Sequence, residues 1–267
     1  MTDMVWLNGR LFPADQARID PTDRGFLLGD GLFETMRLVG GEVPQLERHL
    51  ARLESSCGVL QLPPPSRETI RKAIHALQTA CHITAGSMRL TVTRGCGPRG
   101  LLPPNPPAPT VLLTCAPHSG DVTAPLRLGI SRFTRDGGAP LSSVKSLDYL
   151  PAVLARMEAV AAGFDDALLP GIGDVIAEAS AATIVLLLDG ELVTPLVEDG
   201  ALPGISRARL LEAGLCGERT IPLARLDEME AAWLTTALSV QAVAAIGEHE
   251  LRLDAAREGA LRSFLFG

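Results

Sequence analysis

Lysine is nearly absent from this chain. Its 267 residues include two, Lys72 and Lys145, beside 22 arginines. The net charge of −7 and pI near 5.3 argue against a surface for nucleic acid or an anionic membrane. Five cysteines (57, 81, 96, 115, 216) form no CxxC pair, so they read as reduced, mostly buried thiols of a cytoplasmic protein rather than a disulfide framework. Five histidines form no HxH or HxxxH pair, and no metal site is expected. The longest aliphatic run, TIVLLL (183–188), is far too short to span a bilayer. The opening MTDMVWLNGR lacks the basic stretch and apolar segment of a signal peptide, and none is expected.

What remains is an ordinary globular balance, 46% hydrophobic and 21% charged, long enough for two modest domains. MVWLNGRLFP reads as a hairpin turning at Asn8-Gly9, and FETMRLVGGEVPQL repeats the signal at Gly40-Gly41. Leu46, Leu50 and Leu53 share a helical face, with Gly58 expected as the C-cap. SRETIRKAIHALQTAC predicts a second helix capped by Ser66. SMRLTVTRG and PTVLLTCA read as strands. A linker is expected at 119–124, between a smaller N-terminal domain (1–118) and a larger C-terminal one (125–267) that carries Lys145. In the second domain LRLGISRF, DDALLP, DVIAEAS and TIVLLLDGELVTP read as strands. A helix over about 149–162 is expected to be capped by Asp148, with Pro151 tolerated in its first turn. SRARLLEAG predicts another helix, and AAWLTTALSVQAVAAIGE a last strand region. Strands and helices mix without regular alternation, which predicts an α+β fold in two domains.

Gly95 to Gly100 formally spells GxGxxG, but LLPPNPPAPT follows. A dinucleotide fingerprint must open a helix, and this proline run cannot, so a Rossmann site is excluded and the glycines are read as a loop with Arg99 at its tip. No GxxxxGK[ST] or GxSxG occurs. Lys145 raises a different possibility. Lysine, unlike arginine, can lose its proton near neutral pH and act as a nucleophile or base. A lysine that forms a Schiff base with pyridoxal phosphate needs an acid facing the pyridine nitrogen, a cradle for the phosphate and a donor to the ring hydroxyl.

Six stretches resemble, in order, the motifs of the fold-type IV pyridoxal-phosphate enzymes. They are DRGFLLGDGLFETMR (23–37), RHLARLESS (48–56), VKSLDYL (144–150), EASAATIV (178–185), LPGISRARLLE (202–212) and LTTALS (234–239). The family includes branched-chain and D-amino-acid aminotransferases and aminodeoxychorismate lyase. The resemblance implies a two-domain fold with the cofactor between the domains and Lys145 as the Schiff-base lysine. It implies Glu178 at the pyridine nitrogen and Tyr149, the only tyrosine, at the ring hydroxyl. Arg52, Ile205, Ser206, Thr236 and Ala237 would hold the phosphate, and Arg99 and Thr35 would meet a small carboxylate substrate. It also implies a homodimer. Taken singly, Lys145 reads more readily as a solvated loop lysine, Glu178 as an edge-strand surface carboxylate and Arg52 as the polar face of a helix. Tyr149 reads as simple packing as readily as a cofactor contact; the joint order of the motifs carries the resemblance.

Two positions depart from the family pattern: Thr183 and Asp148 stand where asparagine is usual. LTVTRGCGPRGLLPP (90–104) and LTTAL are more similar to the lyase form. The resemblance therefore implies aminodeoxychorismate lyase, which yields p-aminobenzoate and pyruvate. A branched-chain or D-amino-acid aminotransferase is the alternative, and a non-catalytic cofactor-binding protein a remote one.

Overall fold

In the computed structural model, residues 3–117 and 124–267 are described. β1 (Met4–Leu7) and β2 (Arg10–Pro13) form the expected hairpin, with Asn8 and Gly9 at φ 47° and 93°. Asparagine and glycine enter that left-handed region with little penalty, which is why they close two-residue hairpins. The second hairpin signal gives only an isolated bridge, Val39 to Glu42, after β3 (Gly31–Leu38). Contacts divide the chain into Met1–Gly120 with Val144–Asp148, and Asp121–Ser143 with Tyr149–Gly267. The expected linker lies, except for Ala124, outside the described residues.

In the first unit β1, β2 and β3 join β4 (Gly86–Thr93) and β5 (Thr110–Pro117) in an antiparallel sheet of order β2-β1-β5-β4-β3. Side chains alternate faces along a strand. Leu32, Met36, Leu38, Met88, Leu90 and Val92 therefore share one buried face with the apolar stripes of α2 (Leu46–Val59) and α3 (Arg67–Cys81), which supply Leu50, Leu53, Cys57, Ile70 and Leu77. Phe33, Thr35 and Arg37 point to the other face, with Arg89 opposite Thr35 and Thr91 opposite Phe33. Ser66 caps α3 by accepting from the Thr69 amide, as expected, whereas Gly58 lies inside α2 and Leu60 takes the cap position. A short helix, α1 (Arg24–Leu28), was not signalled by periodicity, since it spans little more than one turn.

The second unit carries a mixed sheet. Its strands are β6 (Leu126–Ile130), β7 (Asp166–Gly171), β8 (Val175–Ala179), β9 (Thr183–Leu188), β10 (Glu191–Thr194), β11 (Gly217–Glu218), β12 (Ala231–Thr235), β13 (Val240–Ile246) and β14 (His249–Glu250). The order is β11-β10-β9-β12-β13-β6-β7-β8, with β14 on β13 and β6 parallel to both its neighbours. TIVLLL in β9 is buried on both faces: Ile184, Leu186 and Leu188 enter one core, Val185 and Leu187 another. The second core is covered by Leu210 of α5 (Ile205–Glu212) and by Leu261 and Leu265 of α6 (Ala255–Phe266). Covering both faces explains why the strand reads as a continuous apolar run instead of alternating. The remaining helix, α4 (Leu150–Ala161), has Pro151 in its first turn, where no amide bond is lost. Its cap residue is Tyr149, with no side-chain cap bond, and Asp148 does not take the capping role expected of it. Among the described residues no helix is long and apolar enough to cross a membrane.

Candidate active site

Lys145 lies beside β3. The Phe33 amide donates to the Lys145 carbonyl (3.0 Å), the Leu147 amide donates to the Gly31 carbonyl (2.9 Å), and Leu32 bridges Ser146. These bonds bring residues 144–148 into the first unit, a correction to the expected place of Lys145 in the C-terminal domain. Gly31 permits the approach: a Cβ there would stand 2.6 Å from the Val92 carbonyl oxygen and 2.8 Å from Leu147 Cδ1. The half-buried lysine reaches over the Phe33 ring, Nζ 4.5 Å from its centroid, and the Arg89 guanidinium lies 3.6 Å from the same centroid. Both are cation–π contacts. Thr35 follows two residues later on the same face of β3, opposite Arg89, so the sheet brings Lys145, Thr35 and Arg89 into one neighbourhood.

The opposite face of β3 holds a charge cluster. Glu34 is buried, and its oxygens accept from Arg52 Nε (2.8 Å) and Nη2 (2.6 Å) and contact His49 Nδ1 (2.7 Å). His49 and Arg52 stand three residues apart on α2, hence on one face of the helix. Burial pushes the Glu34 carboxyl up, but the hydrogen bonds and charges of His49 and Arg52 outweigh it and hold the group below the usual carboxylate range. Sequence reasoning found Arg52 and missed Glu34 and His49, although both lie within the quoted motifs. Arg99, by contrast, is exposed in the loop between β4 and β5.

In the second unit, Glu178 on β8 has both oxygens engaged. The Leu202 amide donates to Oε2 (2.9 Å), and Arg135 Nε stands 3.0 Å from Oε1. Arg135 also donates to the carbonyls of Gly200 (3.1 Å) and Ser142 (2.9 Å), which fixes its fork. No sequence signal marked Arg135, one arginine among 22. α5 begins at Ile205 after Gly204, and no side chain caps its first amides. Uncapped amides and the helix dipole make such an end receptive to phosphate. Ser206 Oγ donates to the Thr236 carbonyl (2.7 Å), tying this helix start to the turn after β12. There the Thr236 hydroxyl accepts from the amides of Leu238 and Ser239, both at 3.0 Å, with Ala237 inside the turn. Thr183 pairs opposite Thr235 in the β9–β12 register, and its Oγ1 would stand 2.9 Å from a Cβ at Gly204. The side chain at 183 thus limits how closely the α5 loop approaches the sheet. Tyr149 is half-buried at the N-cap of α4.

Comparison with known proteins identifies the family. The model of the family described as amino-transferase class IV matches residues 31–246. The chain is 31% identical over 227 residues to the D-alanine aminotransferase of Listeria innocua, covering 84% of this chain and 78% of the relative. It is 26% identical over 264 residues to the bifunctional aminodeoxychorismate lyase / D-amino acid transaminase of Mycobacterium tuberculosis, covering 90% and 89%. It superposes on the crystal structure of 4-amino-4-deoxychorismate lyase from Pseudomonas aeruginosa with a TM-score of 0.82 and 31% identity, covering 98% and 97% of the two chains. With the family match spanning the strand beside Lys145, the Glu178 strand and the uncapped helix start, this chain belongs to the class IV aminotransferases, a fold-type IV family of pyridoxal-phosphate-dependent enzymes.

Proposed function

We propose that the protein is a 4-amino-4-deoxychorismate lyase that uses pyridoxal phosphate to release p-aminobenzoate and pyruvate. The observation that carries the choice is the charge beside Lys145. Arg37 and Arg89 share the sheet face of Thr35, and Arg89 and Lys145 meet the same Phe33 ring. Arg89 beside the reactive amine, with Arg37 farther along the same sheet face, suits a substrate with two carboxylates, since each guanidinium can grip one with paired hydrogen bonds. An amino acid with a single carboxylate would use only one of them.

The residues present fit the cofactor: an amine on a segment hydrogen-bonded along β3, a carboxylate oriented on both oxygens, and a helix start with no side-chain cap. Bound pyridoxal phosphate supplies an aldehyde for the amine and a ring that withdraws electrons. We assign Glu178 to its ring nitrogen and Tyr149 to its hydroxyl. Arg52, Ile205, Ser206, Thr236 and Ala237 are assigned to its phosphate, and Arg99 and Thr35 to the substrate. Lys145 Nζ takes the proton from the amine-bearing ring carbon. The ring's bond to the enolpyruvyl oxygen then breaks and the ring becomes aromatic. The proton ends on the enolpyruvate methylene, giving pyruvate.

A second reading, a D-amino-acid or branched-chain aminotransferase, is favoured by the 31% identity to D-alanine aminotransferase. A pyruvate assay with 4-amino-4-deoxychorismate separates the two. The lyase releases pyruvate and p-aminobenzoate with no 2-keto acid added. An enzyme that turns over amino acids only when a keto acid is supplied overturns the lyase assignment. Lys145→Ala should abolish both turnover and the absorbance of lysine-bound cofactor; retained turnover would refute the role given to Lys145.

We further assign a homodimer in the cytoplasm. Phe26, at 76% exposure, and Leu101 and Leu102, both at 83%, leave apolar surface in the first unit for a second copy to cover. None of the five cysteines is joined in a disulfide, as a reducing compartment would keep them. Light scattering that reports a monomer at micromolar concentration would overturn the dimer.

A further inference from the structure

The loop joining β4 to β5 carries Arg99 and is rich in proline, so it has few amides with which to hold its own shape. It is held instead by Arg24, the first residue of α1, which is 4% exposed. Arg24 Nη1 donates to the Gly100 carbonyl (3.0 Å) and Nη2 to the Leu101 carbonyl (2.8 Å), the two residues that follow Arg99. Its Nε donates to Asp30 Oδ2 (2.8 Å). Arg94, at the start of the loop, donates to the same oxygen (2.8 Å) and to the carbonyls of Leu60 (2.8 Å) and Gln61 (3.2 Å) at the end of α2. The backbone is stitched as well: the Arg24 amide donates to the Gly95 carbonyl (2.9 Å) and the Gly97 amide to the Thr22 carbonyl (3.3 Å). The loop also wraps the arginine stem, since a Cβ at Gly97 would stand 2.9 Å from Arg24 Cδ.

We infer that Arg24 is a positioning residue for substrate binding: its buried fork clamps the Gly100 and Leu101 carbonyls and so sets where Arg99 presents its guanidinium to a substrate carboxylate. The inference rests on the reading of Arg99 as a carboxylate contact. Arginine suits the task because its planar guanidinium can serve a carboxylate and two successive carbonyls at once, which lysine's point charge cannot. Asp30 balances the buried charge of both arginines.

Arg24→Lys keeps a cation opposite Asp30 while losing the fork, and Arg24→Met removes both. With 4-amino-4-deoxychorismate and D-alanine as probes, Arg24→Lys should raise KM about tenfold and leave kcat within about twofold, a loss of binding common to ground and transition states. Arg99→Ala should do the same, and Arg24→Lys added to Arg99→Ala should raise KM no further. The rate with 1-phenylethylamine, which has no carboxylate, should be unchanged. In the absence of substrate, hydrogen exchange at residues 99–102 should be faster in Arg24→Lys and in Arg24→Met. Additive effects of the two substitutions, unchanged exchange, or a KM that rises in Arg99→Ala but not in Arg24→Lys would overturn the positioning role. An Arg99→Ala enzyme with unchanged KM would overturn the carboxylate reading of Arg99 itself, and with it the inference.

Discussion

Glu34→Gln removes one negative charge from a site whose side chain is 2% exposed and leaves the rest of the shape nearly intact. The carboxylate meets Arg52 at 2.6 and 2.8 Å and His49 at 2.7 Å. Breaking one partner of a buried ion pair costs roughly 3–5 kcal/mol, because the surviving charge stays desolvated. Arg52 retains 14% exposure and therefore some water, which places the loss near the lower end, about 3 kcal/mol. That is roughly a 150-fold change in the folding equilibrium. The two tryptophans allow the first unit to be followed alone, since Trp6 lies in its core and Trp233 in the second unit. In a Trp233→Phe background, guanidinium unfolding monitored by Trp6 should shift to lower denaturant by about 0.5–1.5 M.

The same pair makes stability depend on pH, and the sign is determined by the direction of the shift. The folded pKa of Glu34 lies below its ordinary value of 4.5, so the folded chain binds fewer protons than the unfolded one across that interval. The stabilisation is complete above the ordinary value and is lost as pH falls through the depressed one. The gap between wild type and Glu34→Gln should thus be constant above about pH 5.5 and close in stronger acid. A gap below about 1 kcal/mol, or one that does not respond to acid, would refute the role given to this cluster. So would strict additivity of Glu34→Gln and Arg52→Met, because residues that share an ion pair must couple.

Two further outcomes are expected. Gly95→Ala places a Cβ onto the Ala108 carbonyl oxygen at a φ of +81°, so it should lower stability by roughly 2 kcal/mol or more and raise KM for carboxylate substrates, as thermal denaturation and steady-state kinetics would show. Alkylation of the native protein at pH 8 should label the exposed Cys96 first and spare Cys57 and Cys216, whose thiols burial pushes up to about 11 and about 12; peptide mass mapping that finds either of them labelled before Cys96 would contradict this order.

The sequence by itself determined the features that depend on neighbours along the chain. Asn8-Gly9 specified a two-residue turn, Ser66 a helix cap and TIVLLL a strand covered on both faces, because dihedral preference and periodicity act over a few residues. The ordered motifs likewise marked the family and drew attention to Lys145 among two lysines. Periodicity could not show that residues 144–148 would lie along β3, since only the meeting of distant backbones supplies those hydrogen bonds. Nor could it pair Glu34 with Arg52, 18 residues away, Arg135 with Glu178, or Arg24 with Leu101, 77 residues on. An arginine on a loop or helix end looks alike in sequence whether it points to water or grips a buried partner. Only the closed fold, by withdrawing these side chains from solvent, decides which of 22 identical cations must find an acceptor and where.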